Sequence, residues 1–522
     1  MGLLRSVRVR LFAAVFVVAS LLFATQVVRE HYPAFALAQH GTLACDEWAG
    51  LHPDLFQHDD GHWYANNQVG ASLVAAPLLW LASPLLDRLE AIGKRQAAAD
   101  GEQPARFDSA YARRAAFMAE VRKRGIHLRL GAAAALTAVG VMAPAAALLA
   151  LLFHAELLRR GVAAGRAAGL ALLFPFVTPL LFRSAVLNHN QLEALLCFAA
   201  FVLLRPGSGA ALSAARLAAG GACAAGTLLF DYSGAVIAAA FGVAVVVDGV
   251  RARDGAGGVA GALRRALPFA LGALPPLLLL FLTQWAQFGD PFRPAQHWMP
   301  DAHWSVAGYR GFALPTADLL WKNLFDPSYG LFAFAPLLLL ALLPSRASAA
   351  SAPAAASSAP APLVARGERL FVLLFALAFL LFSAANQFSR LQWNTGFRCL
   401  APLVAPLALL ASAPLARWPA RRVAWLALPC ALHSLVLAMA RFTPPTAPSG
   451  FAESTVARSW LALLERGPQL PWFTVWRQTQ PGGGPPWAPF VAPLVLLGTA
   501  ALLFALWRAG ERHAAASAEV RA

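Results

Sequence analysis

The sequence predicts an all-α, polytopic integral membrane protein of about twelve transmembrane helices. Three observations predict it. Apolar runs of spanning length recur along the 522 residues, 59% of residues are hydrophobic against 13% charged, and the mean hydropathy is +0.57. A bilayer core is about 30 Å thick, which a helix crosses in about 20 residues, so such runs have a lipid environment as their natural solvent.

Taken in order, the basic opening MGLLRSVRVR leads into LFAAVFVVASLLFATQVV, and without a small-residue cleavage site the pair reads as a retained signal anchor near residues 11–28. Further spans fall near 130–153, 167–183, 190–204, 216–231, 234–249, 266–285, 329–344, 370–386, 399–413, 423–440 and 488–507. An inside amino terminus leaves Arg159, Arg160 and Arg166, then Arg251, Arg253, Arg264 and Arg265, then Arg417, Arg421 and Arg422 in cytoplasmic loops, with both chain ends on that side. This holds only if residues 71–86 do not cross. They are short for a span and carry Pro77 and Pro84, so they are expected to lie as a helix in the outer interface. Residues 346–369 form a low-complexity Ala/Ser/Pro linker.

The formal net charge of +16 is mostly arginine. Arginine at span ends sets orientation and meets anionic headgroups, so membrane lipid rather than nucleic acid is the expected partner. Five scattered cysteines show no CxxC and no zinc spacing, and are expected to be mostly buried, unpaired thiols. P-loop, HExxH, strand-borne GxGxxG and GxSxG patterns are absent.

Polar residues gather on the face this topology makes external. Glu30 and His31 close the first span, followed by His40, Asp46, Glu47, and then Asp60, His62 and Tyr64 in HDDGHWYANNQVG, where Gly61 and Gly70 are expected to permit tight turns. Arg183 ends the third span, NHNQLEA brings His189 and Glu193 to the start of the fourth, and Asp231 ends the fifth. Ionisable residues at a membrane boundary are either solvated among headgroups or gathered into a functional cavity. QFGDPFRPAQHWMPDAHWSVAGYRGFALP offers aromatic faces suited to sugar rings or to the interfacial belt. NQFSRLQWNTGFRC puts Arg390 and Arg398 at the mouth of later spans, where a guanidinium fork can hold phosphate or a headgroup.

REHYPAFALAQHGTLACDEW, DGHWYANNQVGASLVAAPLLWL, the FGDPF and YGLFAFAPLLLL pair, and GFRCLAPLVAPL together resemble the GT-C superfamily of integral-membrane glycosyltransferases, over residues 1 to about 413. The resemblance implies a core (1–290) with a first periplasmic loop (29–129), a late periplasmic loop and span (291–345), a cytoplasmic linker (346–369) and C-terminal membrane helices (370–522). It also implies a bacterial inner-membrane protein that moves a sugar from a polyprenyl-phosphate carrier to a cell-envelope acceptor on the periplasmic face. A carboxylate soon after the first span would take the acceptor's proton, or orient the acceptor or a metal. That position maps to Glu30, with Asp46 and Glu47 as rivals, and Glu stands where Asp is usual. Asn66 and Asn67 stand where relatives carry Lys, and Val69 replaces Pro. Substrate contacts are expected from Asp60, His62, Tyr64, His189, Glu193 and Asp231, and phosphate contacts from Arg398 with Arg183 or Arg390. No metal ligand set stands out, although a divalent ion is compatible with the His and Asp residues of the first loop. A transporter or lipid flippase, or a non-catalytic protein of the same build, are the alternatives.

Overall fold

The computed structural model describes residues 6–100, 112–252, 257–302, 305–344 and 363–519, so residues 346–362 of the expected linker lie outside it. The chain is mostly helical. Among the described residues the one sheet is a short antiparallel hairpin, β1 (Leu55–Gln57) with β2 (Trp63–Ala65), in which Phe56 pairs with Tyr64. Among the described residues five helices are long and apolar enough to cross a membrane: His127–Arg159, Gly258–Phe288, Arg366–Ala385, Ala420–Ala440 and Ala488–Glu511. Five more apolar helices are shorter, Ala164–Phe176, His189–Leu204, Ala214–Leu229, Gly234–Val250 and Ala401–Arg417.

Several expected spans take a different form. The first helix, Val7–Leu21, stops short of residue 28, and the chain beyond it runs irregularly, pinned where Ala24 N–H donates to Ala185 O at 2.8 Å. Residues 329–344 form no continuous helix. A turn at Leu331–Phe334 gives way to a 3₁₀ segment at Pro336–Leu342, because Pro336 has no N–H to continue the ladder. Residues 71–86 belong to two helices, Gly70–Leu81 and one starting at Ser83, bent by 79° at Ala82. Gly70 does not make the expected turn. It opens a helix so close to the neighbouring chain that an added Cβ would stand 2.3 Å from Leu229 O.

One apolar core takes side chains from Leu11 through Phe153, Phe198, Phe241, Phe379 and Leu409 to Ala492. Where helices meet most closely, small residues allow it. A Cβ on Gly221 would lie 2.0 Å from Phe269 O and one on Gly272 1.9 Å from Ala218 O, so helices Ala214–Gly226 and Gly258–Phe288 touch backbone to backbone. The outer face of Gly258–Phe288 exposes Leu267, Leu271, Leu274, Leu278 and Leu282, a surface fit for lipid rather than water.

Charged residues collect at opposite ends of the same helices. His189–Leu204 has His189 at one end and Arg205 just past the other; Gly234–Val250 starts two residues after Tyr232 and carries Asp248 in its last turn. At the Asp248 end, Arg160 donates to both oxygens of Glu368 at 2.8 Å and to Glu156 at 2.6 Å, tying two helices together inside the structure. The other end holds the polar array described next.

Candidate functional site

Glu30 stands at the start of helix His31–His40 and is 3% exposed. Ser72 Oγ donates to its carbonyl at 2.6 Å, so the helix that Gly70 opens fixes the Glu30 backbone. Its neighbour in the carboxylate array comes from the NHNQ sequence. Asn188 Oδ1 accepts from Gln191 N–H at 3.0 Å, capping helix His189–Leu204, while Asn188 Nδ2 donates to Arg183 O at 2.7 Å and Val186 O at 2.8 Å. One asparagine thereby sets both the entry of this helix, with His189 as its first residue, and the turn that carries Arg183.

The first turn of that helix also bonds to a widened turn in another helix. Residues Ala138–Met142 form a π-helical turn in the long helix His127–Arg159, and Gln191 Nε2 donates to Met142 O at 3.2 Å. One turn earlier, Thr137 Oγ1 lies 2.9 Å from His31 Nε2.

His189 bridges two acids. Its Nδ1 is 2.6 Å from Glu30 Oε1 and its Nε2 is 3.3 Å from Asp231 Oδ2. Donation to both requires a proton on each ring nitrogen. Asp231 Oδ1 accepts from Ser233 N–H at 2.8 Å, and Ser233 Oγ donates onward to Glu193 Oε1 at 2.6 Å. Glu193 is fully buried and its other oxygen has no partner. On the opposite side, Arg29 Nε lies 3.7 Å from Glu30 Oε1, and Arg29 Nη1 donates to Asp54 Oδ2 at 3.2 Å and Asn66 Oδ1 at 3.1 Å.

The electrostatics follow from these contacts. Burial would raise the Glu30 pKa, but the His189 bond and charge and then Arg29 outweigh it and bring it to about 2. Asp231 falls to about 2 for the same reason, burial being overcome by His189. Asp54 is also lowered against its burial, by Arg29, His52 and Arg398. Both carboxylates flanking His189 are therefore anions through the neutral range.

Beside the acids lie arginines without acids. Arg183 is buried, donates from Nη2 to Asn190 Oδ1 at 3.2 Å, and leaves Nε without a partner. Burial first, and then the charges of Arg441 and Arg398, drop its pKa to about 9. Arg398 Nε likewise lacks a partner. Among the described residues no carboxylate lies within ion-pair distance of Arg183, Arg398 or Arg441.

The remaining expected residues fall elsewhere. Asp46 and Glu47 do not share a hollow with Glu30. They line an open pocket of about 380 Å³ with His40, Thr42, Trp48, His62 and Tyr64, because the 3₁₀ turn Asp46–Trp48 follows the helix's far end rather than its start. There His62 Nδ1 lies 2.7 Å from Asp46 Oδ2, which raises the His62 pKa, and Tyr64 O–H donates to Asp60 Oδ2 at 3.1 Å. Arg390 is not available to a phosphate beside Arg398, since its Nη1 pairs with Asp318 Oδ2 at 2.8 Å on an exposed surface. Part of the aromatic late loop packs on the hairpin, where Trp298 meets His58 edge-on at 5.0 Å and stacks on Phe288, which stacks on Phe56, while Phe292 and Tyr309 stay exposed. The Tyr232 hydroxyl oxygen, beside Asp231, accepts from Ala295 N–H at 3.1 Å, which fixes the late loop next to Asp231.

Arg29, His52, Asp54 and Arg441 were not singled out from sequence. Arg29 adjoins Glu30 and Arg441 ends a span, the same pattern that marks Arg183, so the signal for both was present. Among the described residues no three His, Cys, Asp or Glu side chains are arranged to hold a metal ion. The five cysteines are free. Comparisons with protein-family models, with curated proteins and with solved structures find no match to this chain.

Proposed function

We propose that the protein is a GT-C-like glycosyltransferase of a bacterial inner membrane, with about twelve membrane passages and both termini in the cytoplasm. It would move a sugar from a polyprenyl-phosphate carrier to a cell-envelope acceptor at the periplasmic surface. One observation carries the reading: a buried Glu30–His189 pair, extended by the half-buried Asp231, lies beside arginines that have no ion-paired acid of their own, at one end of apolar helices. Group transfer from a lipid phosphate needs these two charge types together, one for the attacking hydroxyl and one for the departing phosphate.

In the proposed reaction the acceptor oxygen bonds to the anomeric carbon as the bond from that carbon to the phosphate oxygen breaks, with the electron pair leaving on the phosphate. Arg183 and Arg398 offset the charge gained there. Glu30 is too weak a base to deprotonate a free alcohol, since its pKa is about 2. It serves as the acceptor hydroxyl's hydrogen-bond partner and takes the proton late, once bonding to carbon has made that oxygen acidic. His189, held by Asp231, fixes Glu30 in place.

The test is release of polyprenyl phosphate from a radiolabelled lipid-linked sugar in proteoliposomes. Wild type should release it in the presence of an envelope acceptor fraction, and Glu30→Gln and His189→Ala should lower the rate by at least about a hundredfold. Full transfer by both variants would remove the assignment. Movement of the intact lipid-linked sugar between leaflets without cleavage would point to a flippase.

A further inference from the structure

One guanidinium lies over the Phe182 ring, and two more arginines are carried on the segments that flank it. Arg183 follows Phe182 in the chain. Arg441 lies over the Phe182 ring at 4.5 Å and donates from Nη1 to Phe182 O. Gly396, two residues before Arg398, abuts the ring from elsewhere, since a Cβ there would stand 2.6 Å from Phe182 Cζ. Phe182 itself is 1% exposed and wedged against Phe334 at 5.3 Å.

Such a group of like charges is costly unless an anion joins it. None of the three has a carboxylate within ion-pair distance among the described residues, and Nε of both Arg183 and Arg398 is buried without a partner. Arg441 adds a second sign of constraint. It has φ of 44°, one of three non-glycine residues in the left-handed region among the described residues, at the end of helix Ala420–Ala440. A glycine would fit that backbone better, so the guanidinium is held there against local preference.

We propose that Arg183, Arg398 and Arg441 form a binding site for a phosphomonoester dianion, with Arg441 as its third cation. A lipid-phosphate diester carries one negative charge, whereas the monoester left after sugar departure carries nearly two. Three cations with no ion-paired acid therefore favour the departing group over the donor. Such a preference builds as the bond to the sugar breaks, which is how a binding site contributes to rate. Naming an isoprenyl monophosphate as the occupant rests on the glycosyltransferase reading; the dianion site itself does not.

The experiment measures binding of farnesyl monophosphate, its methyl diester and inorganic phosphate to the full chain in phosphatidylcholine nanodiscs at mildly alkaline pH. The monoester should bind at least about tenfold more tightly than the diester, and Arg441→Gly should weaken monoester binding about tenfold with less effect on the diester. Arg441→Gly relieves the left-handed backbone but also removes the contacts with Phe182, so Arg398→Gln, which keeps those contacts, supplies a second variant with the same expected loss. Equal binding of monoester and diester, or wild-type monoester binding by both variants, would overturn the proposal. Displacement of farnesyl phosphate by phosphatidic acid in the disc, through the same arginines, would keep the dianion site and reassign its occupant to a membrane phospholipid. Since no transfer is needed for binding, loss of transfer with intact monoester preference would count against the glycosyltransferase alone.

Discussion

Replacing Glu30 by Gln preserves its shape and removes the charge that His189 and Arg29 face. Against burial, those partners bring the Glu30 pKa from 4.5 to about 2, which corresponds to on the order of 3 kcal/mol of native-state preference for the carboxylate. At 3% exposure little of this is lost to solvent screening. The sign is fixed by the direction of the shift. The folded pKa lies below the unfolded one, so the contribution is fully present above pH 4.5 and is lost as pH falls toward 2. Thermal unfolding in nanodiscs across this range should show wild type losing stability steeply on acidification. Glu30→Gln should start less stable near neutral pH and lose less on the way down. Some acid limb should persist in the variant, because Asp231 is lowered to about 2 by the same imidazole. Parallel acid limbs in the two proteins, with equal stability near neutral pH, would refute the assignment of Glu30 to a buried charged array.

Two further outcomes follow from the helix ends and the topology. Arg160→Ala should destabilise the protein by about 3–5 kcal/mol, since it strands Glu368, whose side chain is 5% exposed, whereas Arg160→Met with Glu368→Leu should recover most of the loss; thermal midpoints of the single and double variants check this. In a cysteine-free background, Asp87→Cys on the exposed face of the helix after the 79° bend should react with a membrane-impermeant thiol reagent added outside spheroplasts, and reaction only after lysis would reverse the proposed sidedness.

Much of the membrane character was legible because it is a property of local composition. A run such as LGALPPLLLLFLTQW in Gly258–Phe288 has no stable alternative to burial in lipid or protein, whatever the rest of the chain does. Spans interrupted by proline were less legible. Residues 329–344 are as apolar as their neighbours, but Pro336 and a backbone turn at Ala335 replace a continuous helix with a 3₁₀ segment that buries Leu337, Leu338 and Ala341 on one side. Hydropathy averages over a window and does not register one missing N–H.

The site shows the same division. Glu30, His189 and Asp231 stand out in sequence because ionisable groups beside apolar runs are costly, and each is separately visible. Which of them meet was a matter for tertiary packing. Glu30 and His189 are 159 residues apart, and their 2.6 Å contact depends on the Asn188 cap, the Ser72 bond and the close approach of Gly70 to Leu229. The same packing sends Asp46 and Glu47 to a different pocket and gives Arg390 to Asp318 while leaving Arg398 without an acid. A side chain's type and depth follow from the residues around it in the chain, but its partner follows from helix crossings set by distant small residues, and a charge changes its chemistry with its partner.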